Sequence, residues 1–264
     1  MEPAATPAVV LTIGPTDPTA ASGIQADLKT FAAHELYGVS VVTAVVTHSS
    51  HGIDDVYPLP PTVVASQLAA VLEDLPVVAV KVGLLGTAEI AAVVAARARS
   101  GGLPNLVLDP VVSVPGGNRL GLTAAVKRLL PYATVVTPNA DEASALLGRP
   151  VITTADMARA AGQLAGEGAK SVVVTGGSIP GDESVDAMWT PAGSRFLRAP
   201  RVPVRDPQGT GATFSASVAA CLALGETTTD ALTGAKDYVT RVLEGAVGWR
   251  WGRGGGTPLN HFGF

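Results

Sequence analysis

The sequence predicts an α/β protein with a mostly parallel central sheet and helices on both faces. Short β-branched runs that are apolar on both faces, as buried parallel strands are, alternate with longer stretches of helical periodicity. The loops between them are short and contain Gly or Pro, and no linker-like tract divides the 264 residues. We therefore expect a single domain spanning residues 1–264.

Each element follows from its local pattern. Helices are expected where apolar residues recur at helical spacing, and Pro61 and the acidic Asp156 suit the first turns of two of them. In chain order, the elements are strand 9–13, helix 23–35, strand 39–46, helix 61–73, strand 77–82, helix 88–99, strands 106–108 and 134–137, helices 140–147 and 154–166, and strand 171–175. An antiparallel pair, 186–190 and 195–199 with its turn at 191–193, precedes two long helices, 211–224 and 229–247.

The composition argues against several functional classes. With 47% hydrophobic residues the chain can bury a sizeable core, which argues against disorder. A net charge of −4 without a run of Lys or Arg argues against binding to nucleic acid or to an anionic membrane surface. The first residues have no basic leader, no apolar stretch reaches 18 residues, and Cys221 alone cannot form an internal disulfide. These features predict a cytoplasmic protein with a small-molecule ligand.

Polar residues and glycines follow the predicted strands. Because the carboxyl ends of parallel strands lie at one edge of a sheet, these residues are expected to line a common ligand site. Any one of them alone is explained by ordinary turn chemistry, so it is their joint placement that favours a site. The junctions are 14–17, 47–50, Gly83, 109–110, Pro138-Asn139 with Glu142, and 176–177.

The segment 206–213 (DPQGTGAT) stands directly before an apolar helix. The glycines of Gly209-Thr210-Gly211 allow backbone N–H groups to converge at a helix N-terminus, where they can hold an anion or a phosphoryl group in transfer. Taken alone, the segment is equally well explained as a glycine-rich helix start. The chain has neither the phosphate-binding G-x-x-x-x-G-K-[ST] motif nor the G-x-S-x-G motif of serine hydrolases.

Several segments stand in the order and spacing of one known family. They are 23–30 (GIQADLKT), 81–85 (KVGLL), 108–111 (LDPV), 136–139 (VTPN) with Glu142, 209–211 (GTG) and 258–262 (PLNHF). With them, the chain resembles the hydroxymethylpyrimidine/phosphomethylpyrimidine kinases of thiamin biosynthesis, which belong to the ribokinase-like superfamily. The resemblance extends over residues 9–262 and implies a ribokinase-like fold.

The resemblance also implies an activity and a set of site residues. The expected reaction is transfer of a phosphoryl group from ATP, with Mg²⁺, to the hydroxymethyl arm of a pyrimidine and then to the resulting phosphate. A homodimer is usual in the family. The implied roles are catalysis for Gly209, Thr210, Gly211 and Asp109, substrate binding for Gly14, Asp27, His48 and Leu84, nucleotide binding for Asn139, Thr175 and Gly177, and Mg²⁺ binding for Asp109 and Glu142.

The chain departs from the family pattern at several positions. The first loop, 18–23 (PTAASG), lacks most of the usual glycines, and 115–118 (PGGN) replaces a common lid sequence. His48 stands where a Gln usually binds the pyrimidine edge, so the substrate pocket is altered. Thr175 stands where a Lys is usual, so phosphates would depend on backbone amides and Mg²⁺.

The most consequential departure is Ala212, directly after the GTG segment. The family places a Cys there, and its relatives an Asp, as the acceptor of the substrate hydroxyl proton, which a methyl group cannot replace. General-base catalysis is worth roughly 10²–10⁴-fold in rate. If His48 points inward, it is the nearest substitute along the sequence, whereas an acceptor that is already a phosphate needs no deprotonation.

Three functional hypotheses follow. The first is an active kinase for a hydroxymethylated heteroaromatic compound or its phosphate, favoured by Asp109, Glu142 and the GTG segment. The second is a catalytically impaired homologue with a ligand-binding or regulatory role, favoured by Ala212 and Thr175. The third is an enzyme of another reaction class that uses the same pocket.

Overall fold

The computed structural model describes residues 6–112 and 122–262, and the segment 115–118 lies outside them. The strands are β1 Val9–Thr16, β2 Tyr37–Ser49, β3 Gly52–Pro58, β4 Val77–Val82, β5 Leu106–Leu108, β6 Val135–Val136, β7 Val172–Val174, β8 Glu183–Thr190 and β9 Gly193–Pro200. The helices are α1 Gly23–Ala33, α2 Pro61–Asp74, α3 Ala88–Arg99, α4 Thr123–Lys127, α5 Ala140–Leu147, α6 Thr154–Gly166, α7 Thr210–Ala223 and α8 Thr228–Glu244, with a 3₁₀ turn at Leu130–Tyr132.

One nine-stranded sheet runs through the described residues in the order β3-β2-β1-β4-β5-β6-β7-β8-β9. Neighbours from β2 to β7 pair in parallel, whereas β3 at one edge and β8 and β9 at the other pair antiparallel. The predicted mostly parallel sheet is therefore confirmed. Because successive strand side chains point to opposite faces, Val10 enters one core and Leu11 and Ile13 enter the other.

Helices cover both faces of the sheet, as predicted. On one face α2, α3, α5 and α6 bury Leu68, Ile90, Leu146 and Leu164 against the strands. On the other face α1, α7 and α8 bury Phe31, Phe214 and Leu232. Among the described residues, no helix combines the length and the apolar character needed to cross a bilayer.

Some local features differ from the prediction. Residues 47–50 were expected in a loop, but β2 continues to Ser49 and forms a hairpin with β3, which the sequence pattern did not reveal. Most side chains of β3 are exposed at the sheet edge, so it lacks the apolar run that marks a buried strand. The short α4 was also missed, and the β8–β9 turn is tighter than expected because Thr190 already pairs with Gly193.

The segment after α8 crosses over to the β2–β3 hairpin. Ser50 Oγ at the hairpin tip accepts hydrogen bonds from the backbone N–H groups of Arg253 (3.1 Å) and Gly254 (3.0 Å). A Cβ at Gly254 would collide with the Ser50 carbonyl, so the close approach requires glycine. A few residues later, the Thr257 carbonyl accepts a hydrogen bond from the Gln208 N–H at 2.8 Å. Residues 252–257 therefore connect the hairpin tip to the loop before α7.

The buried His261 gives the fold a pH-dependent stability. Its Nδ1 lies 3.0 Å from the Tyr238 hydroxyl, and burial, with a smaller effect of Lys29, lowers its pKa to about 4. In the unfolded chain the pKa of this histidine is about 6.5, so between about pH 4 and pH 6.5 the unfolded chain binds a proton that the folded chain does not. Stability is therefore full above about pH 6.5 and falls as the pH drops towards 4, by up to about 3 kcal/mol from this group.

This expectation can be measured by urea unfolding at pH 7, 5.5 and 4. The His261→Gln variant should lose less stability over this interval than the unaltered chain. Burial also lowers the pKa of His34, so His34 contributes to the pH dependence of stability in both proteins. Only the difference between the two proteins therefore reports on His261. Parallel pH profiles of the two proteins would contradict the assignment.

Candidate active site

A cavity of about 520 Å³ opens at the carboxyl ends of the parallel strands, where the sequence placed the ligand. Its walls come from the loop after β1, the ends of β2, β4 and β5, the start of α5 and the start of α7. The structure brings most of the predicted site residues to this one cavity. These are His48, Leu84, Asp109, Asn139, Glu142, Thr175, Gly209, Thr210 and Gly211, together with Ala212.

Three predicted site residues do not line the cavity. Gly14 is buried within β1, and its neighbour Pro15 forms the wall instead. Gly177 is exposed, and its carbonyl accepts a hydrogen bond from the Arg201 guanidinium at 2.8 Å. Asp27 is fully buried and faces the protein interior. These three residues lie outside the cavity lining, and the ligand contacts assigned to them stay predictions.

Asp27 instead forms a buried ion pair with Lys81. The Lys81 ammonium lies 3.0 and 2.9 Å from the two carboxylate oxygens of Asp27, and the Thr12 hydroxyl donates to the same group at 2.6 Å. Thr12 and Lys81 are paired positions on β1 and β4, so their side chains leave the sheet on the same side and meet α1 there. The Asp27 carboxylate is thus fully engaged, which explains why it does not reach the ligand space.

Lys81 connects this pair to the cavity. Its ammonium lies 3.9 Å from Asp109 Oδ2, and its side chain is only 3% exposed. Among the cavity-lining residues that the structure describes, Lys81 is the one lysine or arginine. Burial raises the pKa of Asp27, and the Lys81 charge and the Thr12 hydroxyl oppose that rise.

Asp109 and Glu142 present two buried carboxylates to the same cavity. Asp109 follows β5 and accepts a hydrogen bond from the Ser215 hydroxyl at 3.1 Å. Glu142 belongs to the first turn of α5, where it exchanges 2.9 Å hydrogen bonds with Asn139 in a capping box. Burial raises the pKa of both groups, and for Glu142 the nearby Asp109 charge raises it further.

This pair of carboxylates fits a magnesium ion. Mg²⁺ prefers oxygen ligands and usually takes one or two carboxylates, with waters and phosphate oxygens completing its shell. The mutual repulsion that raises the pKa of Glu142 beside Asp109 is what a divalent cation would offset. The described residues contain no group of three or more His, Cys, Asp or Glu side chains that could hold a metal ion by themselves, so a site here would depend on water and ligand oxygens.

Backbone amides supply the other side of the cavity. Gly209 adopts a left-handed conformation (φ +81°) and caps α7, which begins at Thr210. A Cβ at Gly209 would collide with the Ala21 carbonyl, so the loop after β1 packs directly on this corner. A Cβ at Gly211 would meet nothing within 4 Å, so the helix N-terminus faces open space. Such an N-terminus can hold an anion.

The loop after β1 contributes Asp17, which the sequence analysis counted among the strand-end residues without assigning it a role of its own. Asp17 Oδ1 accepts hydrogen bonds from the Thr19 N–H and hydroxyl, both at 2.8 Å, and Oδ2 accepts one from the Ser22 N–H at 2.8 Å. The imidazole Nδ1 of His48 lies 3.0 Å from Oδ1. The Asp-Pro-Thr sequence is typical of a turn stabilised by its first side chain, and this signal could have identified Asp17 as the loop anchor.

Comparison with known proteins finds matches over nearly the whole chain. The family model described as phosphomethylpyrimidine kinase matches residues 17–258. A hydroxymethylpyrimidine/phosphomethylpyrimidine kinase of Streptomyces coelicolor is 39% identical over 264 residues, covering 98% of this chain and 96% of the relative. A homologue of the same description from Haemophilus influenzae is 37% identical and covers 97% of both chains.

Among solved structures, an ADP complex of Bacillus subtilis pyridoxal kinase superposes with a TM-score of 0.90 at 32% identity, covering 97% of this chain and 98% of the other. The match therefore includes the whole sheet and its helices.

Proposed function

Since the chain belongs to the phosphomethylpyrimidine kinase family, we propose that it transfers a phosphoryl group from ATP, with Mg²⁺, to a hydroxymethylpyrimidine-like substrate or to its phosphate. The observation that carries this proposal is that the N-terminus of α7 and the carboxylates of Asp109 and Glu142 line one cavity. Phosphoryl transfer requires mainly positioning and electrostatic stabilisation of the group in transfer. Backbone amides at the start of α7 and two carboxylates suited to Mg²⁺ would supply positioning and electrostatic stabilisation in this cavity.

The nucleotide is proposed to lie along the walls formed by Asn139 and Thr175. Thr175 carries no charge, so the phosphates depend on the amides of 209–211 and on Lys81. Asp109 and Glu142 would hold Mg²⁺, which supplies positive charge to the phosphate oxygens when it is bound. The structure supports that role because both carboxylates are buried and line the same cavity.

The acceptor is proposed to lie against His48 and Leu84 at the end of the cavity near β2 and β4. A neutral imidazole at position 48 offers one hydrogen-bond donor and one acceptor. The pocket therefore suits a heteroaromatic ring whose edge has a different pattern of donors and acceptors from that of a ring bound by a Gln amide. Pyridoxal is a second candidate acceptor, because the Bacillus subtilis relative with the same fold is a pyridoxal kinase.

Similarity over nearly the full chain to named kinases favours the active kinase over the ligand-binding homologue and the repurposed enzyme. We also propose that residues 1–264 act as one domain, that the chain forms a homodimer, and that it works in the cytoplasm. The continuous sheet of the described residues supports the first of these proposals.

The kinase proposal predicts acceptor-dependent release of ADP from Mg-ATP. Hydroxymethylpyrimidine, its phosphate and pyridoxal should be tested in parallel, and EDTA should abolish turnover. The same samples should show an ATP-dependent rise in unfolding temperature, because a ligand that binds only the folded state stabilises it. Absence of turnover with every acceptor, together with no shift by ATP, would contradict the proposal.

A further inference from the structure

Transfer to a hydroxyl group requires a group that removes the hydroxyl proton, and Ala212 cannot do so. The cavity-lining residues that the structure describes leave few alternatives. Asp109 and Glu142 are assigned to the metal, Lys81 is a paired ammonium, and Asp141 is exposed on the first turn of α5. The remaining titratable side chains are Asp17 and His48, which are in contact with each other.

The fold directs His48 into the cavity by a break in strand pairing. Between Thr47 and His48 the register of the β2–β3 hairpin shifts, and Asp54 on β3 is left without a partner. Such bulges re-aim the neighbouring side chain. The His48 side chain is 8% exposed and lines the cavity, and the residues that the structure describes form no hydrogen bond with its Nε2.

Asp17 fixes which imidazole nitrogen carries the proton. Burial alone would raise the pKa of the Asp17 carboxyl, but hydrogen bonds from Thr19 and Ser22 and the nearby His48 outweigh that effect and hold it below its usual value. An ionised carboxylate can only accept hydrogen bonds, so His48 Nδ1 must donate across the 3.0 Å contact. In the neutral ring, Nε2 then carries the free lone pair.

The loop 17–22 places this imidazole near the helix that holds the phosphoryl group. At one end Asp17 contacts His48, and a few residues later the Ala21 carbonyl packs on Gly209, the cap of α7. Lys29 Nζ donates to the Ala20 carbonyl at 2.5 Å and fastens the loop to α1. The proton acceptor and the N-terminus of α7 are thus held by one short, anchored segment.

On the basis of the proposed function, we propose that Asp17 and His48 form a catalytic dyad in which His48 Nε2 accepts the proton of the substrate hydroxyl group. The hydroxyl oxygen forms a bond to the γ-phosphorus of ATP while the bond from that phosphorus to the β,γ-bridging oxygen breaks and ADP leaves. The proton moves from the hydroxyl oxygen to Nε2, Asp17 stabilises the resulting imidazolium, and the proton then passes to solvent. His48 is the catalytic residue and Asp17 is a positioning residue.

The dyad predicts a selective defect in the His48→Gln variant. Glutamine keeps a polar side chain beside Asp17 but cannot accept the hydroxyl proton. With hydroxymethylpyrimidine as acceptor, kcat should fall by roughly 100-fold or more. With hydroxymethylpyrimidine phosphate, whose attacking oxygen is already ionised, the fall should be far smaller, so the ratio of the two kcat values changes by roughly 100-fold. ADP release measures both reactions in one assay.

The outcomes separate the dyad from the kinase proposal. Equal losses with both acceptors would overturn the dyad and leave the kinase proposal standing. No turnover by the unaltered chain with any acceptor would overturn both.

The positioning role of Asp17 has its own readout, the ¹⁵N chemical shifts of His48. In the neutral ring of the unaltered chain, Nδ1 should carry the proton and Nε2 should not, and the opposite tautomer would overturn the dyad.

A second variant tests whether the defect is one of proton transfer. Adding Ala212→Cys to His48→Gln places a thiol in the first turn of α7, where a helix N-terminus favours the thiolate. The double variant should recover at least about 10-fold of the hydroxyl-transfer kcat lost by His48→Gln. Absence of recovery would place the defect outside proton transfer and would count against the dyad.

Discussion

Replacing Gly209 by alanine is expected to lower kcat/KM for Mg-ATP by roughly 100-fold or more, because it displaces the amides that steady the transferring group. Gly209 is left-handed (φ +81°), a conformation that alanine rarely adopts, and its Cβ would collide with the Ala21 carbonyl. The collision moves either α7 or the loop that carries Asp17. Steady-state ADP release, with urea unfolding to compare stability, measures the effect.

The same substitution at Gly166 is the matched control. Gly166 ends α6, and a Cβ there would meet nothing within 4 Å. Gly166→Ala should leave kcat/KM unchanged and should not reduce stability, since alanine is the better helix former. If Gly209→Ala retained full activity, the N-terminus of α7 could not be the phosphate-holding element.

Replacing Lys81 by methionine is expected to lower the free energy of unfolding by about 3–5 kcal/mol, because it leaves the fully buried Asp27 carboxylate without its counter-charge. The same change removes the ammonium beside Asp109, so activity should fall in whatever fraction remains folded. Urea unfolding at pH 7 measures the first effect, and Mg-ATP turnover below the transition measures the second.

Lys127→Met provides the comparison at an exposed ion pair. Lys127 lies 3.0 Å from Glu167, with both side chains 35% exposed, and its loss should cost less than about 1 kcal/mol. Adding Asp27→Leu to Lys81→Met should recover part of the stability, since removing both buried charges abolishes the unpaired one. A loss of less than about 1 kcal/mol in Lys81→Met would show that Asp27 is not charged in the folded protein.

The sequence predicted the central sheet well because its strands are buried on both faces and contain few polar residues. It missed β3 because an edge strand such as Gly52–Pro58 exposes most of its side chains and therefore resembles a loop. Strand-end residues such as Asp109 and Asn139 were placed correctly, since the parallel topology alone brings them to one edge.

The direction in which a side chain points was harder to predict. Asp27 belongs to a segment that resembles the family, but its side chain lies on the face of α1 that meets Lys81. The apolar pattern of a helix does not show whether a carboxylate on it faces a ligand or forms a buried ion pair. The contact between Asp17 and His48 joins residues 31 positions apart, and it depends on the register shift at Thr47, which leaves no mark in a single sequence. These parts of the site required the structure.

Residues 252–257 also decide when the hairpin tip can be joined to the loop before α7 during synthesis. His48 and the hairpin tip at Ser50 leave the ribosome early, but the backbone that closes on Ser50 is made after α8. A nascent chain that ends before Gly252 therefore contains the residues of all nine described strands, but not the segment 252–257 that connects the hairpin to the start of α7. The contact between the hairpin tip and the loop before α7 is therefore completed only after the residues that follow α8 have been made.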